Sequence, residues 1–216
     1  GFGFMAAANI ALHVGAKPVF SEVDAASWCM TAQDVERCIT SRTKAIVPIH
    51  TYGNVCDMAP IMELADRRGL HVVEDAAEAI GSKYMGRMAG TIAPLGIYSF
   101  HATKTITTGE GGAAVTSSVE LRDRMRLFRS HGMATRRYWH EVAGHNFRLT
   151  NMQAAIGCAQ LEQIAAITRE RDRVYKTYTG LLQNVEGVTL QCYSDKVDPV
   201  VWAIAAALDV SAFPQG

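Results

Sequence analysis

The sequence predicts an α/β domain, a mainly parallel sheet sandwiched by helices, on three observations. Short apolar runs alternate with amphipathic stretches through the first three-quarters of the chain, the rhythm of βα units. The apolar runs are continuous rather than alternating, as in strands covered on both faces. Helix-start and helix-stop residues fall between them. The elements follow in order. Lys17–Val23 reads as a strand. Thr31, with Asp34 three residues on, reads as a helix N-cap that supplies acceptors for unpaired amide N–H groups. KAIVPIH at 44–50 reads as the next strand. Asp57 opens a helix whose Met58, Ile61, Met62 and Ala65 fall on one face, with Gly69 as its stop. LHVVE at 70–74 is a buried strand that runs into Asp75, and 96–100 and 111–116 read as two more strands. A helix over 118–130 turns Leu121, Met125 and Phe128 to one side and Arg122, Arg126 and Arg129 to the other. Thr150 caps a long helix through NMQAAIGCAQLEQI. Beyond about residue 172 the rhythm fades, and 188–193 is expected to open a second domain.

Composition narrows the function. The 216 residues carry 21 Lys+Arg and 21 Asp+Glu, so there is no basic surplus to draw the chain onto nucleic acid or anionic lipid. Five cysteines, an odd number with no C-x-x-C spacing, in a chain too large to need staples, point to a reducing, cytoplasmic setting. They read as small core hydrophobes, and no metal site is expected. No apolar run approaches the roughly 20 residues that span a bilayer. The first residues, GFGFMAAANIALHVG, lack the basic leader and cleavage pattern of a signal peptide and read as mid-domain, so a fragment is expected.

In open α/β sheets ligands sit at the carboxyl ends of strands. LHVVE leads into Asp75, then Ala76, Ala77 and Glu78. GIYSF leads into His101, Ala102, Thr103 and Lys104, followed by TITTGEGG. A carboxylate facing a ring nitrogen and a lysine facing a carbonyl are what an electron-sink cofactor such as pyridoxal phosphate needs. The glycines after Lys104 allow a backbone to approach a ligand closely, and Ser99 offers a hydroxyl to a phosphate. Taken singly, a lysine after a strand is usually a solvated residue and an aspartate there a turn former; their joint context carries the reading. For His101, proton transfer or sugar contact competes evenly with a structural role. His50 and Tyr52 end a strand, and packing is the simpler account of both. The arginines at 122, 124, 126, 129, 136 and 137 could clamp a diphosphate, but three of them share one helix face away from the apolar stripe and a solvated face is the simpler account, while 133–140 (MATRRYWH) reads as a substrate or dimer loop.

SFHATKTITTGEGGAAVT, EDAAEAIGS, HTYGNVCDM and HNFRLTNMQAAIGCAQLE together resemble the DegT/DnrJ/StrS-type aminotransferases, fold type I pyridoxal phosphate enzymes that act mainly on nucleotide-linked keto sugars. The motifs look most like those of members that aminate the fourth sugar carbon, although Ala102-Thr103 stands where such members carry Gly-Asn. The resemblance implies transamination with L-glutamate as donor. It implies Lys104 as the Schiff-base lysine and proton carrier, Asp75 at the pyridine nitrogen, and Glu78 near the ring hydroxyl. Ser99 falls at a phosphate ligand, Phe4 at an aromatic that stacks on the ring, and Asn146 at a residue reaching the phosphate of a neighbouring subunit, hence a homodimer. It makes residues 1–172 the cofactor-binding large domain, with its phosphate-cradling segment upstream of the chain, and 173–216 the start of a small α+β domain. Two other readings stay open. One is a sugar dehydratase of the same family, against which Lys104 argues because those members carry His there. The other is a non-catalytic, cofactor-binding regulatory homologue.

Overall fold

A computed structural model describes residues 2–214. Its centre is a four-stranded sheet in the order β1-β2-β5-β6, with β1 at Ala45–Ile46, β2 at His71–Asp75, β5 at Leu95–Ser99 and β6 at Gly112–Val115. The first three are parallel and β6 is antiparallel to β5. A parallel pair requires a crossover, and α3 (Met58–Arg68) supplies it between β1 and β2. The helix begins and ends where its residues dictate: Asp57 precedes its first turn, and Gly69 takes the left-handed conformation, φ 63°, that closes its last. Of its expected apolar stripe, Met58, Ile61 and Ala65 are buried, while Met62 is only partly buried and Leu64, outside that stripe, joins the core with Val35, Ile46, Val55, Val72 and Tyr84.

Around this centre, α1 spans Ala6–His13 and α2 spans Ala32–Cys38. Thr31 caps α2 through a bond from the Asp34 N–H to its hydroxyl, 3.2 Å long, as its sequence anticipates. Ser118 caps α4 (Val119–Arg129) in the same way. Thr150 opens α5 (Asn151–Glu162) with a complete capping box, its hydroxyl accepting from Gln153 N and the Gln153 side chain accepting from Thr150 N. None of the residues of α4, α5 or α6 (Ile164–Leu182) is buried, and α6 runs unbroken across residues 172 and 173.

Several elements differ from the sequence expectation. Residues 17–23 form no strand: no strand among the described residues pairs with the run, and Val19 and Phe20 are exposed. The 44–50 strand is cut to two residues plus an isolated bridge between Ile49 and Asp75. The helix expected from Thr150 through Ile164 breaks at Gln163 and restarts as α6. A hairpin unforeseen in the sequence joins β3 (Lys83–Tyr84) to β4 (Arg87–Met88). Met85 and Gly86 at its tip both have positive φ, the geometry a two-residue hairpin needs. Strand β8 (Val197–Asp198) pairs back onto β3, while β7 (Val188–Leu190) and β9 (Ala206–Leu208) form a separate antiparallel pair. Of the cysteines, Cys29 and Cys56 are core residues as expected, but Cys158 and Cys192 are exposed.

Candidate active site

Successive strand residues face opposite sides of a sheet, and the end of β2 uses this to separate two carboxylates. Glu74 turns into the protein and is fully buried. His50 Nε2 lies 3.0 Å from its Oε2. The Cys56 N–H donates to His50 Nδ1, so that nitrogen accepts and Nε2 carries the hydrogen given to Glu74. Backbone N–H groups of Gly90, Ile92 and Ala93 donate to the same carboxylate at 2.8, 2.6 and 2.5 Å. Burial acts to raise the Glu74 pKa, but the His50 bond and these N–H groups outweigh it and hold the carboxyl below its ordinary range.

Asp75, the next residue, has a different environment. Its backbone is fixed on both sides, donating to Pro48 O and accepting from His50 N. Among the described residues its carboxylate receives a single hydrogen bond, from Ala77 N–H to Oδ1 at 3.1 Å. Burial raises its pKa above the carboxylate norm, opposed by the Ala77 bond and by the charges of His50 and Lys104.

Lys104 leaves β5 five residues after Ser99, in a turn closed by its own N–H bonding His101 O. Its Nζ is 3.4 Å from Glu78 Oε1, and both side chains are only 13% exposed. Glu78 is held in turn through Oε2, which accepts from Tyr52 N at 3.0 Å. Above the ammonium lies Trp202, its ring centroid 3.9 Å from Nζ. Its indole N–H donates to Thr103 O at 2.7 Å. The structure thus pairs two of the residues singled out in the sequence, Lys104 and Glu78, with Asp75 at the end of the adjacent strand, and adds Trp202, for which the sequence held no local signal.

The other candidates are placed as follows. Ser99 closes β5, and its hydroxyl accepts from His101 N at 3.2 Å. His101 is exposed, its ring paired with Thr103 Oγ1 and 3.8 Å from Glu110. Phe4 is 77% exposed, on a segment whose Gly3 packs against Ile49, the residue bridged to Asp75. Its neighbour Phe2 instead joins an edge-to-face cluster with Trp28 and Tyr52, and Tyr52 in turn meets Trp202. Asn146 is exposed, bridged to Ser130 through its backbone and bonded to Arg148 through Oδ1. His50, although at a strand end, belongs to the Glu74 network and not to the cleft. The arginines at 122, 126 and 129 are solvated, as the sequence favours.

The strand ends thus carry a buried carboxylate, an amine paired with a second carboxylate and a hydroxyl, groups of the kinds that can bind a carbonyl and an anion. The chain belongs to the DegT/DnrJ/EryC1/StrS aminotransferase family, whose profile matches residues 1–212. It is 48% identical to the GDP-perosamine synthase of Escherichia coli O157:H7 over 84% of this chain and 51% of that protein. It is 41% identical to the UDP-N-acetyl-3-dehydro-alpha-D-glucosamine 3-aminotransferase of Acidithiobacillus ferrooxidans, over 88% of this chain and 51% of that one. The crystal structure of S. venezuelae DesV superposes with a TM-score of 0.92 at 35% identity, covering 95% of this chain and 56% of DesV. The chain therefore spans about half the length of the curated relatives it matches. No helix among the described residues is long and apolar enough to cross a membrane.

Proposed function

We propose that this chain carries the cofactor-binding part of a pyridoxal phosphate-dependent transaminase, which moves an amino group from L-glutamate to a keto sugar linked to a nucleoside diphosphate. The observation that carries the reading is the Lys104–Glu78 pair beside Asp75, at adjacent strand ends of a chain of this family. The donor set fits the cofactor: an amine for its aldehyde, a buried carboxylate for its ring nitrogen and the Ser99 hydroxyl for its phosphate. Bound there, the cofactor would supply a carbonyl for the amine and a protonated ring that draws electrons from the substrate's reacting carbon.

The protein's own part follows from the geometry. Asp75, a buried carboxylate, would hold a proton at the ring nitrogen. Lys104 Nζ would bind the aldehyde carbon and, once released, carry the proton between reacting carbons. Glu78, fixed by Tyr52 N–H, would orient that amine and stand near the ring hydroxyl. Phe4 would cover a ring face, Asn146 would reach the phosphate of a second copy in a homodimer, and His101 would touch the sugar. Residues 1–172 would form the cofactor-binding domain and 173–216 the start of a smaller one, with α6 shared between them, in a cytoplasmic enzyme. The two relatives above differ in both nucleotide and reaction by their names, so the reading stops at the class of sugar nucleotide.

The test uses the full-length protein. Added pyridoxal phosphate should give a visible absorption band that borohydride bleaches, leaving a pyridoxyl group on the peptide containing Lys104. L-Glutamate should shift the band, and the amine should pass to a nucleotide keto sugar. Lys104→Ala should lower turnover by at least about 10⁴-fold. A cofactor attached elsewhere, or turnover by the variant at the parent rate, removes Lys104 from the mechanism.

A further inference from the structure

The indole over Lys104 is delivered by a strap that is fastened at every step. The strap leaves β8, already paired with β3. Val200 N donates to Ser82 Oγ at 2.9 Å. Gly53, at φ +100°, lets the strap pass so close that a Cβ there would lie 2.2 Å from Val200 O. Trp202 N donates to Tyr52 O at 2.9 Å, and its carbonyl accepts from Arg171 at 2.9 Å. The ring is then fixed by its own bond to Thr103 O.

Tyr52 joins this strap to the carboxylate on the other side of the amine. Its N–H holds Glu78 and its C=O holds Trp202, from a residue with φ 58°. A left-handed conformation is costly for an aromatic residue, and such costs gather where a site must be fixed. Two groups that touch the Lys104 ammonium, one anionic and one aromatic, are therefore both bonded to a single strained residue.

We propose that Trp202 is a positioning residue for Lys104, its indole face packing Nζ against Glu78 and covering that side, so that the strap controls how readily the amine reacts with a carbonyl. The proposal rests on reading Lys104 as the carbonyl-binding amine. An aromatic face attracts an ammonium and gains nothing from the neutral amine. Taking the ring away therefore removes one contact from the ammonium and opens a path to it.

The experiment is done on full-length protein without cofactor, following trinitrobenzenesulfonate labelling of Lys104 by peptide mass spectrometry. The exposed Lys176 serves as the internal reference. Trp202→Leu should speed labelling of Lys104 about 3- to 30-fold relative to Lys176, the range expected for a lost cation–aromatic contact. Trp202→Phe, which keeps a π face, should recover most of the protection. Labelling of the Leu variant at the wild-type rate overturns the proposal, as does equal acceleration by Leu and Phe. If Trp202→Leu does not fold, 5-fluorotryptophan in the otherwise native protein replaces it. Lys104→Met should then move the fluorine resonance of Trp202, assigned with Trp202→Phe, and leave those of Trp28 and Trp139 in place; an unmoved resonance sinks the idea. Neither readout involves pyridoxal phosphate, so a failure of cofactor binding and a failure of this proposal are told apart.

Discussion

Glu74 and Asp75 are neighbours on one strand with opposite assignments. Behind the sheet, Glu74 is surrounded by donors and held ionised below the usual range; at its mouth, Asp75 has one donor, and burial lifts its pKa. The back of β2 is satisfied by hydrogen bonds, while on the front, among the described residues, the Asp75 carboxylate has the Ala77 N–H alone. Two carboxylates that look alike in the sequence are separated by the twofold alternation of a strand and by which loops fold over each face.

The largest expected effect lies on the back. Glu74→Ala strands His50 and three backbone N–H groups without an acceptor, and breaking a buried pair from one side typically costs about 3–5 kcal/mol. Chemical denaturation of the full-length protein should show a fall of that order, with any surviving folded protein still binding cofactor at Lys104. The sign with pH is also fixed. Because the folded pKa of Glu74 is depressed, its stabilisation is present above the unfolded carboxylate range, near pH 4.3 or so. It is lost as pH falls through the lower folded value. The acid limb of the stability curve should flatten in the variant, and an unchanged limb would remove Glu74 from acid unfolding.

Asp75→Asn should behave in the opposite sense. The folded pKa of Asp75 is raised, so the ionised group is disfavoured by the fold, and a neutral amide should leave stability within about 1 kcal/mol of the parent or above it. Activity should drop about 10²- to 10³-fold, because an amide does not hold a proton on the ring nitrogen as a carboxylate does. If stability and activity fell together, the two faces of β2 would not be separable in the way proposed.

Much of this was legible in advance, and the reasons are local. Thr31, Ser118 and Thr150 mark helix starts because a cap needs only a side chain and an N–H three residues on. The stripe of α3 and the apolar runs of β2 and β5 announce themselves by periodicity. Lys104, Asp75 and Glu78 were readable because strand ends carry them and four motifs surround them. The strap was not. Nothing near Trp202 indicates that it returns 98 residues in the chain to cover Lys104, since long-range contact leaves no local pattern. The 17–23 run has the composition of a strand, but a strand also needs a neighbour, and among the described residues it has none. The Met85-Gly86 turn lacks the Asn-Gly or Asp-Gly signal of its type. His50 stands at a strand end, and packing, the simpler account of it in the sequence, is the one the buried ring bears out.

The smallest effect tests whether the contrast between a finished interior and an open exterior extends to the helices. Helix α5 buries none of its residues, yet it is tied at both ends to the glycine-rich loop after Lys104: Gln153 Nε2 donates to Glu110 O, and Gln160 accepts from Thr107 N. Thr150→Ala removes the hydroxyl half of the capping box, and such a loss costs typically about 1 kcal/mol. In a helix with so little packing, that loss should appear locally before it appears globally. Hydrogen exchange of Gln153 and Ala154 N–H should quicken about fivefold, as 1 kcal/mol requires of a local opening. Exchange in β2 should stay as it was. Equal acceleration in α5 and β2 would mean that the outer helix and the Glu74 core open as one unit, and the division of labour drawn along the strand would not hold for the domain around it.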